Sequence, residues 1–130
     1  MIKTLGSAFI AVALGMAAPA SAAVFVSGDS NIYMTLTTQL LPAANPGNQA
    51  FFRNILDGGT KAVVQFGLVQ ASVSPTFVTN YYSAIGVSTT TLAAAATVTA
   101  ADLNGAALFI TALPNRSYTA GEISTIAGFV

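Results

Sequence analysis

Two short polar stretches carry the residues whose types and spacing could do chemistry: Gly28-Asp29-Ser30-Asn31 and Pro114-Asn115-Arg116-Ser117. Ser30 follows the apolar run Ala23-Val24-Phe25-Val26 almost directly, in a Gly-Asp-Ser turn whose Asp and Ser side chains can bond to nearby backbone. Asn115 stands in the polar loop that follows the apolar run Ala106–Leu113. Arg116, with the N–H groups that open the helix after it, could hold a small anion or sugar. The plainer reading is a surface ion pair between Arg116 and Asp29, worth about 0–1 kcal/mol. Asp29, Ser30, Asn31, Asn115 and Arg116 are therefore the candidate ligand-binding residues, with Ser30 and Asn115 the catalytic alternative.

The rest of the chain narrows that chemistry. It contains no cysteine and no histidine. Disulfides, zinc sites of the Cys/His type, cysteine nucleophiles and a histidine general base are excluded. A serine without a base is a poor nucleophile at neutral pH. No metal-ligand spacing occurs, and Gly58-Gly59 follows a helical pattern instead of preceding one, so it does not read as a phosphate cradle. The sequence implies no cofactor and no metal.

These groups sit in a chain of 130 residues, long enough for one domain, with 54% hydrophobic and only 6% charged residues. About 25% charged is usual for a soluble domain. The zero net charge gives no electrostatic case for nucleic acid or for an anionic membrane surface. Met1-Ile2-Lys3, an apolar stretch from Leu5 to Ala18, and Ala20-Ser21-Ala22 have the order of a secretory signal with its small-x-small cleavage site. The apolar stretch is about 14 residues, short of the roughly 20 that span hydrocarbon. Residues 1–22 are expected to be a signal peptide and 23–130 the exported domain, with no membrane attachment after cleavage. Periplasmic, cell-surface and extracellular destinations all fit.

The exported part alternates strand-like and helix-like patterns. Strands are expected at Ala23–Val26, Lys61–Phe66, Val87–Leu92 and Ala106–Leu113. The first helix has Asn48 as its cap, Phe51, Phe52, Ile55 and Leu56 on one face, and Gly58-Gly59 as its stop. The second runs from the Ser74 cap and Pro75 to Gly86, stacking Phe77, Val78, Tyr81, Tyr82 and Ile85. Aromatic stripes at this spacing are core. Thr99–Asp102 reads as a capping box with Asp in place of Glu, opening a short helical turn. Thr119 and Glu122 form a full T-x-x-E box, with Ile123, Ile126, Ala127 and Val130 expected on the buried face.

This alternation predicts an α/β fold: a doubly wound, mostly parallel sheet of about four strands with flanking helices. The commonest order, 3-2-1-4, sets the first and fourth strands side by side. The loops holding Ser30 and Arg116 would then share the rim where open α/β sheets bind ligands. The final helix has no stop signal before Val130, which predicts an incomplete, C-terminally truncated domain. An apolar strand left at a sheet edge would favour self-association.

Two resemblances bear on function. Val24–Asn31, Asn48–Leu56, Leu108–Ile110 with Leu113-Pro114, and Tyr118–Ile123 resemble exported bacterial proteins with a PEP-CTERM sorting signal. Their globular part is similar to the class I glutamine amidotransferase-like fold, a flavodoxin-like sheet. The resemblance implies a fold and a compartment but no reaction, since this chain lacks the Cys and His of the amidotransferases. Gly28-Asp29-Ser30 is separately similar to the nucleophile block of the GDS-type (SGNH-like) esterases, which implies Ser30 as nucleophile and Asn115 as an oxyanion donor. Leu113-Pro114 replaces that family's Gly before Asn115, and its Asp-x-x-His is missing. The leading expectation is a non-catalytic exported α/β domain, a surface or matrix component or a binding module. The alternative is the esterase.

Overall fold

The computed structural model describes residues 44–67 and 74–130. Residues 1–43 and 68–73, including the expected signal segment, the Ala23–Val26 strand and the Asp29-Ser30-Asn31 loop, lie outside the described residues.

Helix α1, Pro46–Asn54, starts one turn earlier than the sequence pattern predicts. Asn45, not Asn48, is its cap: Asn45 Oδ1 accepts from the N–H groups of Gly47 and Asn48 at 2.8 and 3.3 Å. Pro46 fills the first helical position, where a missing N–H leaves nothing unsatisfied. Strand β1, Lys61–Phe66, follows, buried from its second residue onward. Helix α2, Pro75–Ala84, is capped by Ser74, whose side chain accepts from the N–H of Thr76 at 3.2 Å. Gly86, at φ 79°, makes the left-handed stop. Strand β2, Ser88–Leu92, short helix α3, Ala100–Leu103, strand β3, Leu108–Ala112, and helix α4, Ala120–Phe129, complete the order.

The three strands form a parallel sheet in the order β2-β1-β3. Lys61 sits against Ser88 on one side of β1, and Ala62 against Leu108 on the other. The fold is thus α/β, but the expected order 3-2-1-4 is corrected. Lys61–Phe66 pairs directly with Leu108–Ala112 through five residues in register, and no strand can lie between them.

Each face of the sheet has its own core. On one, Phe52 of α1, Leu56 in the turn after it, and Val78, Tyr81 and Tyr82 of α2 pack with Ala62, Val64, Phe66, Leu108, Ile110 and Ala112. Two buried hydroxyls tie these helices together: Tyr81 Oη donates to the Gln49 carbonyl at 2.6 Å, and Tyr82 Oη to the Phe52 carbonyl at 3.0 Å. On the other face, Val63, Val98 and Leu103 pack with Leu92, Phe109, Ile126 and Phe129. The buried side of α4 differs from the expected one. Glu122 is its buried residue, Ile126 and Phe129 are half-buried, and Ile123, Ala127 and Val130 face solvent. The physical reason is electrostatic and is found at the carboxyl end of the sheet.

Candidate functional site

Polar side chains converge where β1 and β3 end. Gln65, the last residue but one of β1, is 2% exposed although its strand is otherwise apolar beyond Lys61. Its Nε2 donates to the Ala93 and Ala96 carbonyls at 3.0 and 2.8 Å. Its Oε1 accepts from Tyr118 Oη at 3.0 Å. Tyr118 Oη also lies 2.7 Å from Thr111 Oγ1. Because the tyrosine has one hydroxyl proton and gives it to Gln65, Thr111 donates to the tyrosine. The chain Thr111→Tyr118→Gln65→Ala93/Ala96 has one direction, and every strong donor in it has an acceptor.

Arg116 and Glu122 form the second half of the cluster. Nη1 of Arg116 donates to Oε2 of Glu122 at 2.9 Å and Nη2 to Oε1 at 2.5 Å, a bidentate pair. Nη2 also reaches the Ala96 carbonyl at 2.6 Å, and Nη1 the Ser117 carbonyl at 3.1 Å. The guanidinium carbon stands 5.3 Å from the centroid of the Tyr118 ring, within cation–π range. Glu122, its side chain 1% exposed, accepts in addition from the N–H of Val98 at 2.9 Å and from the N–H and hydroxyl of Thr119 at 2.9 and 3.0 Å. The guanidinium bonds first, then the Thr119 and Val98 N–H groups, hold this carboxyl well below the usual carboxylate range. The same hydrogen bonding to Glu122 raises Arg116 above the ordinary arginine value. Both groups are fixed in their charged forms.

The local sequence explains the convergence. Thr119 and Glu122 complete a capping box, which turns the carboxylate back toward the start of α4. Leu113, at φ 44°, bends the chain after β3 back across β1. There a Cβ on Gly67 would stand 2.2 Å from the Leu113 carbonyl oxygen and 2.3 Å from the Asn115 nitrogen, so only glycine admits the crossing. Arg116 is thereby delivered beside Gln65. Residues 93–98 pass over the same end, anchored through Ala93, Ala96 and Val98 by Gln65, Arg116 and Glu122.

Of the candidates read from sequence, Asn115 lies exposed in the crossing loop and Arg116 beside it is half-buried. Asp29, Ser30 and Asn31 lie outside the described residues, so neither the Ser30–Asn115 constellation nor an Arg116–Asp29 pair is described. The carboxylate on Arg116 is Glu122. Gln65, Tyr118 and Glu122 were not singled out for this cluster. The available signal was the one polar residue inside the apolar run of β1.

The depression among Gln65, Gly67, Thr111, Arg116 and Tyr118 is too tight to hold a water molecule. A larger groove of about 560 Å³ opens at the opposite, amino end, lined by Gly59, Thr60, Leu103, Asn104, Ala107 and Phe129 among others, with no charged side chain. Among the described residues no three His, Cys, Asp or Glu side chains group to hold a metal ion, and no helix is long and apolar enough to cross a membrane. Comparison with known proteins finds no matching family model, no matching curated protein and no matching solved structure.

Proposed function

We propose that residues 23–130 act as a non-catalytic exported α/β domain, a binding or structural component of the cell surface or extracellular matrix. The observation behind this reading is the use of the polar cluster. Gln65, Arg116, Tyr118 and Glu122 direct their hydrogen bonds at the protein's own backbone and at one another, and the crevice among them is too small for a substrate. Export is supported by the signal-like segment Met1–Ala22 and by the resemblance to PEP-CTERM-type proteins. Arg116 belongs to this reading as a positioning residue held by Glu122, and Ala23–Val26 as a fourth strand of the sheet.

The test separates this reading from the esterase. Purified protein and its Ser30→Ala variant are compared on short-chain p-nitrophenyl esters and with a fluorophosphonate probe. Equal background rates and no Ser30 labelling are expected. Ser30-dependent turnover, or label on Ser30, overturns the non-catalytic reading. Mass spectrometry of protein recovered outside the cytoplasm is expected to find a chain beginning at Ala23; an intact Met1 terminus in that fraction overturns cleavage.

A further inference from the structure

We propose that the groove at the amino end of the sheet binds a neutral oligosaccharide. The inference rests on the functional reading above and deepens it, since it names what a binding domain of the cell surface or matrix would hold.

Open α/β sheets bind ligands outside the carboxyl ends of their strands. In this chain that end is closed by its own residues. Gln65, Arg116, Tyr118 and Glu122 bond to one another and to the backbone of Ala93, Ala96 and Val98, and the crevice among them has no room for water. The open space lies at the other end. Its volume of about 560 Å³ falls within the roughly 300–1,000 Å³ of small-molecule sites. The groove is bounded by the 58–60 turn before β1, by α3 and residues 104–107 before β3, and by Thr125, Gly128 and Phe129 of α4.

The chemistry of this lining selects the ligand class. No side chain on it is charged, so an ion would give up water without gaining a counter-ion. The lining is also not that of a lipid site, because it holds the Asn104 amide and the Thr60 and Thr125 hydroxyls. None of these three side chains has a hydrogen-bond partner among the described residues. The amide brings two donors and an acceptor, and each hydroxyl both donates and accepts. Phe129 adds a half-buried ring to the same wall. Neutral hydrogen-bonding groups beside an aromatic ring suit a pyranose. Such a sugar is uncharged, carries hydroxyls around its rim, and presents C–H groups on its faces, which pack against the negative face of an aromatic ring.

Gly128 carries the argument further. Glycine weakens the helix that contains it, and the packing of α4 does not ask for one here: a Cβ at Gly128 would meet no atom within 4 Å. What the absent side chain leaves open is the groove. A second groove of about 410 Å³ shares Gly58, Gly59 and Thr60 with the first and is lined beyond them by Arg53, Ile85 and Val87. The two flank the 58–60 turn, a shape for a short chain of sugars more than for a single ring. Arg53 is the one charged side chain on either lining, and its N–H groups serve hydroxyl oxygens as well as carboxylates.

The test is an amide NMR titration of the full chain with cellohexaose, chitohexaose and mannohexaose in turn, and with hexagalacturonate as the charged counterpart. At least one neutral hexamer is expected to shift the amides of residues 58–60, 104–107 and 125–129 saturably, with a Kd below about 1 mM. Residues 93–98 and 116–118 should stay still. Gly128→Leu fills the groove while touching nothing else in the fold. It is expected to keep or raise the melting temperature and to weaken binding at least about 10-fold. Phe129→Leu keeps an apolar side chain without the ring and is expected to weaken binding about 3- to 10-fold. Four results overturn the proposal: no saturable shift with any neutral hexamer, shifts with hexagalacturonate alone, unchanged affinity in Gly128→Leu, or the same shifts on dilution of the protein alone, which would give the groove to a second copy. None of them involves Ser30, so the ester and fluorophosphonate assays decide the non-catalytic reading separately.

Discussion

Replacing Gln65 by Met tests whether the polar cluster holds the fold together. The two side chains are unbranched and similar in volume, so no cavity complicates the comparison. Met removes three hydrogen bonds, those to the Ala93 and Ala96 carbonyls and the one from Tyr118. At about 1 kcal/mol each, the direct loss is roughly 3 kcal/mol. The groups left behind have other partners. Ala96 keeps Arg116, the Tyr118 hydroxyl can turn to donate to Thr111, and the Ala93 carbonyl keeps the Ala96 N–H at 3.0 Å at a residue open to water. No group is left orphaned, so the penalty of about 1–3 kcal/mol for an unpartnered buried group does not apply. Burying a thioether in place of an amide returns about 1 kcal/mol. The net expectation is a loss of about 2 kcal/mol, read as a lower urea midpoint at unchanged m-value, and as a melting temperature lower by roughly 10–20 °C. Pairing Gln65→Met with Tyr118→Phe in a double-mutant cycle is expected to show about 1 kcal/mol of coupling. A loss under about 0.5 kcal/mol with no coupling would refute the argument that these bonds hold residues 93–98 in place.

Two further outcomes follow from the same cluster. Glu122 and Asp102 both titrate lower in the folded chain than unfolded, Glu122 chiefly through Arg116 and Asp102 chiefly through Thr99. Their contribution is present above the ordinary carboxylate value of about 4 and is lost as pH falls through the depressed folded values. Denaturant titrations below about pH 4.5 are expected to show stability declining with acid, with a shallower decline in Glu122→Gln; an equal slope in both proteins counts against the pair. Gly67→Ala places a methyl group inside the Leu113–Asn115 crossing and is expected to destabilise by about 1–3 kcal/mol or more. Amide NMR shifts should then concentrate in residues 113–118, and a variant of unchanged stability would show that the crossing relaxes freely.

The helices and strands were largely legible because their signals are local. Ser74-Pro75, Thr99–Asp102 and Thr119–Glu122 each fix a helix start through bonds within three residues, and Gly86 fixes a stop through its positive φ. Asn45 was missed because Asn45 and Asn48 are both good caps; Pro46, which prefers the first helical position, decides between them. Strand order is not local. Alternating patterns fix that the sheet is parallel, but neighbours are chosen by which faces the helices cover. Here α1 and α2 share a face, and β3 takes the place beside β1 that the commonest order reserves for the first strand.

The site was legible only in part, for a reason that low charge makes plain. In a chain with so few ions, apolar periodicity dominates any reading of α4, and it points Ile123, Ala127 and Val130 inward. The opposite holds, with Ile123 57% and Val130 48% exposed. A buried carboxylate without its partners is costly, whereas an exposed aliphatic side chain on a surface already rich in apolar atoms is ordinary. Once the capping box turns Glu122 back over the start of the helix, where it meets Arg116 and the Val98 N–H, the helix cannot rotate to bury Ile123 without breaking the contacts to Arg116 and Val98. The rotation of α4 is thus set by one carboxylate. That carboxylate takes its guanidinium partner from a loop whose path depends on the missing side chain of Gly67. Arg116 looks like a ligand-binding arginine in the sequence because its partner lies six positions on, inside a helix whose pattern reads as apolar.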